Sequence, residues 1–249
     1  MGMSTTERRR RSGDLAAAAS PGASSPLTGR IREKEDGAFR DASRADFVYR
    51  QVRDAIQDGV YPQGTRIREE EVARDLGVSR TPVREGLRRL ESHGLLELAP
   101  GRGLVVVSLT KKQIVDLYTV MEMLEGSAAR LAAQNASGVE IQLIEQILDV
   151  FDATKGDARR YSRLNHEFHD AVYAAAKNEY LQKSLERLWD ALASVPSTTY
   201  QLTGRPESAS EEHRSILKAI KARQPDEAEW AARRHIREVL RHRTAMLFG

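Results

Sequence analysis

A chain of 249 residues has room for one or two domains with real cores, and its make-up of 40% hydrophobic and 30% charged residues suits a globular protein with polar ends. There is no cysteine, which removes disulfides, thiol nucleophiles and thiolate metal sites, and no apolar run approaches the roughly 18 residues of a membrane span. Net charge is only +3, so charge alone does not point to nucleic acid.

Residues 1–40 hold eight Lys+Arg against five Asp+Glu, whereas 41–109 hold eleven of each and 110–249 twenty of each. The basic excess therefore sits at the start. Ala, Ser, Gly, Pro and Arg dominate there without apolar period, which reads as a disordered basic tail. Arg8–Arg11 followed by Leu15–Ala19 mimics a signal peptide, but the apolar part is too short and Asp14 interrupts the approach to it.

From near Arg44 to Asp58 a first helix is expected. Phe47, Val48, Val52, Ala55 and Ile56 form its apolar stripe and Gly59 stops it. Glu69–Leu76 reads as a second helix, stopped by Gly77. A third follows a sharp turn. Thr81 before Pro82 is its expected start, because proline suits the first helical position and Thr can cap. Val83, Leu87 and Leu90 fall at i, i+4 and i+7 and make its buried face; Thr81, Arg84, Glu85 and Arg88 point the other way, and Gly94 ends the helix. Leu95–Leu98 and Leu104–Val107 then flank Ala99-Pro100-Gly101-Arg102-Gly103, a β-hairpin with Arg102 at its tip. Helix, helix, hairpin over 41–109 is a winged helix-turn-helix. A short helix with an apolar back and an arginine-bearing front suits a DNA major groove.

Residues 110–249 read as helix almost throughout. Thr110 and Gln113 have capping-box spacing ahead of a long helix that ends near Asn135. Stripes at Ile141–Phe151, Tyr161–Val172 and Leu181–Leu192 mark three more, the last broken at Pro196. Ser208 and Glu211 suggest a second capping box, opening a helix with Ile216, Leu217 and Ile220, and a last helix starts near Pro225. Six helices in this span make a compact all-α bundle, so the fold class is mostly α.

Asn165 and His169 sit four apart on the flank of one apolar stripe. His213 shares a face with Leu217 and Ile220, and His235 one with Ala232 and Val239. Three imidazoles and an amide oxygen on inward flanks could converge on a divalent metal, zinc or nickel by donor type. The same residues also read as satisfied core histidines. His166 points further from the stripe and is a poor ligand; His242, two turns beyond His235, competes with it.

Two stretches resemble known domains. Gly59–Ile67, Glu71-Val72-Ala73, Leu76–Glu85, Leu90-Glu91 and Gly94-Leu95 resemble the DNA-binding domain of the GntR family of bacterial transcriptional regulators. The resemblance implies DNA contacts from Arg80, Thr81, Arg84 and the wing glycine Gly101; to these the exposed face of the third helix adds Arg88 and the hairpin tip adds Arg102. Some members carry a DNA-contacting arginine early in the second helix, where this chain has Glu70. Asn165–His169, Asn178–Leu181, Glu212–Leu217 and Arg234-His235 resemble the FCD effector domain of the FadR branch of that family, in its six-helix form. That implies a divalent metal on Asn165, His169, His213 and His235 inside an effector pocket. The first ligand is frequently Asp in the family and is Asn165 here; an arginine that can serve acidic effectors is replaced by Met121.

Together these features predict a homodimer that binds double-stranded DNA at an inverted-repeat operator under control of a small molecule, a carboxylate by family theme. Such a protein would be cytoplasmic and nucleoid-associated. Two other readings are open: a metal-dependent hydrolase domain fused to a DNA-binding module, and a regulator whose metal is purely structural or missing.

Overall fold

The structure, a computed structural model, describes residues 41–195 and 198–248. The expected tail at 1–40 and the break at Pro196 lie outside the described residues. The first part of the fold contains α1 (Asp41–Gln57), α2 (Glu69–Leu76), α3 (Arg80–Ser92), β1 (Leu96–Ala99) and β2 (Gly103–Val106). The second contains α4 (Lys111–Asn135), α5 (Gly138–Ala153), α6 (Ala158–Ala176), α7 (Glu179–Ala193), a 3-10 turn at Thr199–Gln201, α8 (Arg205–Lys221) and α9 (Pro225–Phe248). The predicted mostly-α class, with a winged domain ahead of a helical one, is what forms.

The winged core gathers Val48, Val52 and Ile56 of α1, Val72 and Leu76 of α2, and Val83, Leu87 and Leu90 of α3, closed by Leu95, Leu96 and Val106. Leu87 and Leu90 are fully buried, and truncating either to alanine should cost about 2–5 kcal/mol. Helices α1 and α3 approach closely at Gly86, where a Cβ would lie 2.8 Å from Val48 Cγ1.

Helix α3 begins at Arg80 behind Ser79, not at Thr81. The first-turn N–H groups of a helix have no internal partner, so proline is tolerated throughout that turn and Pro82 does not fix its first residue. The other end is as the sequence implied. Gly94, at φ +78°, donates to Glu91 O, and Leu95 N–H reaches back 2.9 Å to Leu90 O, which closes the last carbonyls.

In the wing, β1 and β2 pair antiparallel, with Leu96 opposite Val106 and Ala99 opposite Gly103. The turn between them bonds Arg102 N–H to Ala99 O at 3.0 Å, and Gly101 sits at φ +70°, the position after Pro100 that favours glycine. Residues 64–67 add a short edge to β2 through Gly64 N–H to Val106 O and Ile67 N–H to Leu104 O. That edge is too short to show a period in sequence.

In the helical domain α4 lies along α9, with α5, α6 and α8 packed around Ala132, Ile144, Phe168, Val172, Ile216, Ile220 and Ala232. Thr110 and Gln113 form the expected capping box. The second expected box does not form. Helix α8 starts at Arg205, three residues before Ser208, and the Ser208 hydroxyl donates to Arg205 O at 3.1 Å instead. Pro206 in the first turn marks the true start.

Candidate functional site

Two sites are built on this frame. On α3, Thr81, Arg84, Glu85 and Arg88 are all exposed, opposite Val83, Leu87 and Leu90. Arg80 Nη2 donates to Glu70 of α2 at 3.0 Å, and Arg84 donates to Glu69 through Nε at 3.2 Å and Nη2 at 3.1 Å. The Arg80 and Arg84 side chains remain 65% and 55% exposed, and ion pairs in that setting hold weakly. Both guanidiniums can therefore exchange a glutamate for a phosphate or base edge at small cost. In the wing, Arg102 Nη2 donates to Gly64 O at 3.1 Å, beside Gly101.

The second site lies deep in the helical domain. α6 presents His169, α8 His213 and α9 His235; all three are buried, and one ligand atom from each lies within 4.8 Å of the others. His169 Nδ1 is 3.1 Å from Glu125 Oε2, and His235 Nδ1 is 2.6 Å from Glu212 Oε2. A carboxylate accepts, which favours the tautomer with the proton on Nδ1 and leaves Nε2 as the nitrogen with a free lone pair. His169 Nε2 and both ring nitrogens of His213 are buried without a hydrogen-bond partner. Native interiors rarely leave such atoms unsatisfied. Burial above all, then the neighbouring imidazoles and Arg205, holds His213 well below its usual pKa; burial, His169 and Arg205 do the same to His235. Neutral, converging imidazoles backed by carboxylates are the donor set that fits a divalent cation.

The supporting residues form a second layer. Glu125 of α4 is 2% exposed and also accepts from the Tyr173 hydroxyl and, at 3.3 Å, from Trp189 Nε1. Arg205 is 1% exposed and grips Glu212 with both Nη atoms at 2.9 and 3.0 Å, while its Nε has no partner. Burial pushes Tyr173 and Tyr200 well above the usual phenol pKa.

Asn165 lies one turn before His169, half-buried, and its carbonyl accepts from the Tyr200 hydroxyl at 2.7 Å. His166 turns away, edge-on to Trp189 and 3.7 Å from Asp170. His242 is half-buried and outside the cluster. Met121 is fully buried in the α4 core. Sequence reading missed Glu125, Glu212 and Arg205. The signal for Glu125 was a lone acid on the buried face of α4, one turn after Met121. Arg205 had none, since arginine is seldom fully buried.

Residues 44–106 match the family described as bacterial regulatory proteins, gntR family, and residues 116–238 match the FCD domain. The probable D-xylose utilization operon transcriptional repressor of Paenarthrobacter nicotinovorans is 36% identical over 201 residues, covering 76% of this chain and 85% of that protein. This chain belongs to the GntR family of bacterial transcriptional regulators. The Glc operon transcriptional activator of Escherichia coli K12 is 30% identical over 219 residues, covering 78% of this chain and 86% of the relative. Among solved structures, E. coli McbR/YncC superposes with a TM-score of 0.71 at 25% identity, over 82% of this chain and 97% of that one. These GntR relatives are regulators, so this protein is a transcriptional regulator with an FCD effector domain and not an enzyme; the hydrolase reading finds no support among them. No described helix is long and apolar enough to cross a membrane.

Proposed function

We propose that this GntR regulator binds an inverted-repeat operator as a homodimer and is controlled by a small carboxylate at a metal centre in its helical domain. The observation that carries the reading is the convergence of His169, His213 and His235, with two rings oriented by Glu125 and Glu212.

In this reading two copies of α3 sit about 34–36 Å apart and enter successive major grooves. Arg80 and Arg84 read base edges or adjacent phosphates, Thr81 and Arg88 flank them, and Gly101 and Arg102 bring the wing to the backbone. A divalent ion, zinc or nickel by donor type, is held by the three histidines, with the free lone pair of the Asn165 carbonyl as fourth ligand. Its contribution is a positive charge with a coordination position that attracts an anion. Arg205 can add one hydrogen bond to such an anion: its Nε–H is a buried, unused donor, although Glu212 already offsets its charge. The relatives include a repressor and an activator, so family membership assigns no regulatory sign.

The test for the DNA half is a footprint on the promoter region nearest the gene, with Arg84→Ala as comparison. Loss of a two-lobed footprint in the variant, at unchanged oligomeric state, supports the reading; a normal footprint overturns the α3 assignment.

A further inference from the structure

Helix α7 reaches the histidine centre and the winged domain from neighbouring residues. Trp189 looks inward: its Nε1 donates to the Tyr173 hydroxyl at 2.7 Å and to Glu125 at 3.3 Å, and its ring centroid is 5.4 Å from that of His169. Asp190, turned about 100° onward by the helix, looks toward the winged domain. It is 7% exposed and accepts from the Tyr49 hydroxyl of α1, while His93 Nδ1 lies 2.8 Å from the same oxygen. His93 is the residue that caps α3, and Arg89, one turn earlier, stacks over the Tyr49 ring at 4.6 Å. Asp190 therefore holds the far end of the helix whose near end carries Arg80 and Arg84.

Two further observations make this a discrete fastening. Ala193 of α7 belongs to the winged domain's core, while Leu192 and Val195 belong to the helical one, so α7 is shared by both. A cavity of about 410 Å³ flanks the junction, lined by Tyr49, Arg53, Arg89, His93, Asp170 and Asp190 among others. Beside a loosely filled junction, a buried carboxylate with donors from across the boundary is either bonded or stranded, and a stranded one is strongly disfavoured.

We propose that Asp190 is the positioning residue through which the state of the histidine centre sets the orientation of the recognition helix. The route runs from His169 through Glu125 to Trp189, along α7 to Asp190, and on to Tyr49 and His93. The proposal rests on the metal-centred regulatory reading above. Contiguity alone does not establish coupling; an altered equilibrium between the two sites does.

The experiment measures operator affinity by fluorescence anisotropy for the full chain, stripped of metal and then with added Zn²⁺, in wild type, Asp190→Asn and Tyr49→Phe. Wild type should change its operator affinity at least fivefold on adding zinc, the lower end of usual coupling. Asp190→Asn should reduce that change to within twofold while its zinc stoichiometry by titration stays at the wild-type value. Tyr49→Phe keeps the ring and removes one donor, so it should give an intermediate factor even where Asp190→Asn folds poorly. Hydrogen exchange supplies a readout that a mere structural role would not move. Zinc should increase protection of α1 and the last turn of α3 in wild type, and not in Asp190→Asn. A variant with the full wild-type coupling factor overturns the proposal. So does a wild type that binds zinc with no change in operator affinity, which leaves the metal centre standing. A wild type that takes up no zinc overturns the metal reading and this proposal with it.

Discussion

Arg80 and Arg84 stand in solvent, each beside one glutamate of the neighbouring helix, whereas His213 is wholly buried with no hydrogen-bond partner on either ring nitrogen. On the proposed reading, the first arrangement is a surface that trades one weak partner for another when DNA arrives. The second is an interior in which three converging imidazoles leave ring nitrogens with no partner in the protein. The contrast lies in the cost of being unmatched. An exposed arginine falls back on water, while a buried imidazole has nothing else to bond. Losing one exposed arginine therefore leaves its neighbours as they were, whereas losing one member of the buried cluster strands the others.

The sharpest way to break this comparison is His213→Ala. For a metal held at a thousandfold excess over its dissociation constant, binding adds about 4 kcal/mol to stability. Calorimetry with and without Zn²⁺ should show that increment in wild type and none in the variant; equal shifts in both would remove the distinction between the two sites.

Acidification probes the same contrast. His213 and His235 have folded pKa values held below the ordinary 6.5, so the unfolded chain binds more protons than the folded one once the pH drops through that value. Stability of the metal-free protein is complete above pH 6.5 and should fall below it, by up to about 1.4 kcal/mol per pH unit for each ring. Chemical denaturation at pH 7.5, 6.5 and 5.5 checks this. The exposed arginines stay charged throughout, so binding to unrelated DNA should outlast the histidine transition and fail only with unfolding.

Glu212→Gln keeps the shape of the second layer and removes its charge. Metal affinity should weaken about 10- to 100-fold, read by competition with a chromophoric chelator. Arg84→Ala should weaken the operator complex about tenfold or more and leave metal content unchanged. The smallest effect is expected from Glu70→Gln, which frees Arg80. Binding to unrelated DNA should tighten slightly and become more salt-dependent, and a weaker complex would show that Glu70 presents Arg80 and does not restrain it.

The two regions also differed in how far they could be read beforehand. The α3 face was legible because its residues are contiguous: Val83, Leu87 and Leu90 set the buried side, and Arg84 and Arg88 follow by periodicity. Only its first residue was misplaced, since Pro82 permits a start anywhere in the turn before it. In the helical domain each histidine could be assigned an inward flank, but their meeting depends on how α6, α8 and α9 pack, which no local period encodes. Glu125 and Glu212 were passed over because carboxylates on helices are usually solvated. Arg205 lies outside the helix that the Ser208/Glu211 spacing predicts, so in sequence it reads as loop.

The measurement that bears most directly on the metal centre is the elemental analysis of purified, tag-free, desalted protein, with His213→Ala alongside. Near-stoichiometric zinc or nickel in the wild type, absent from the variant, is the predicted result. Metal-free wild type, folded and still specific for its operator, would contradict it.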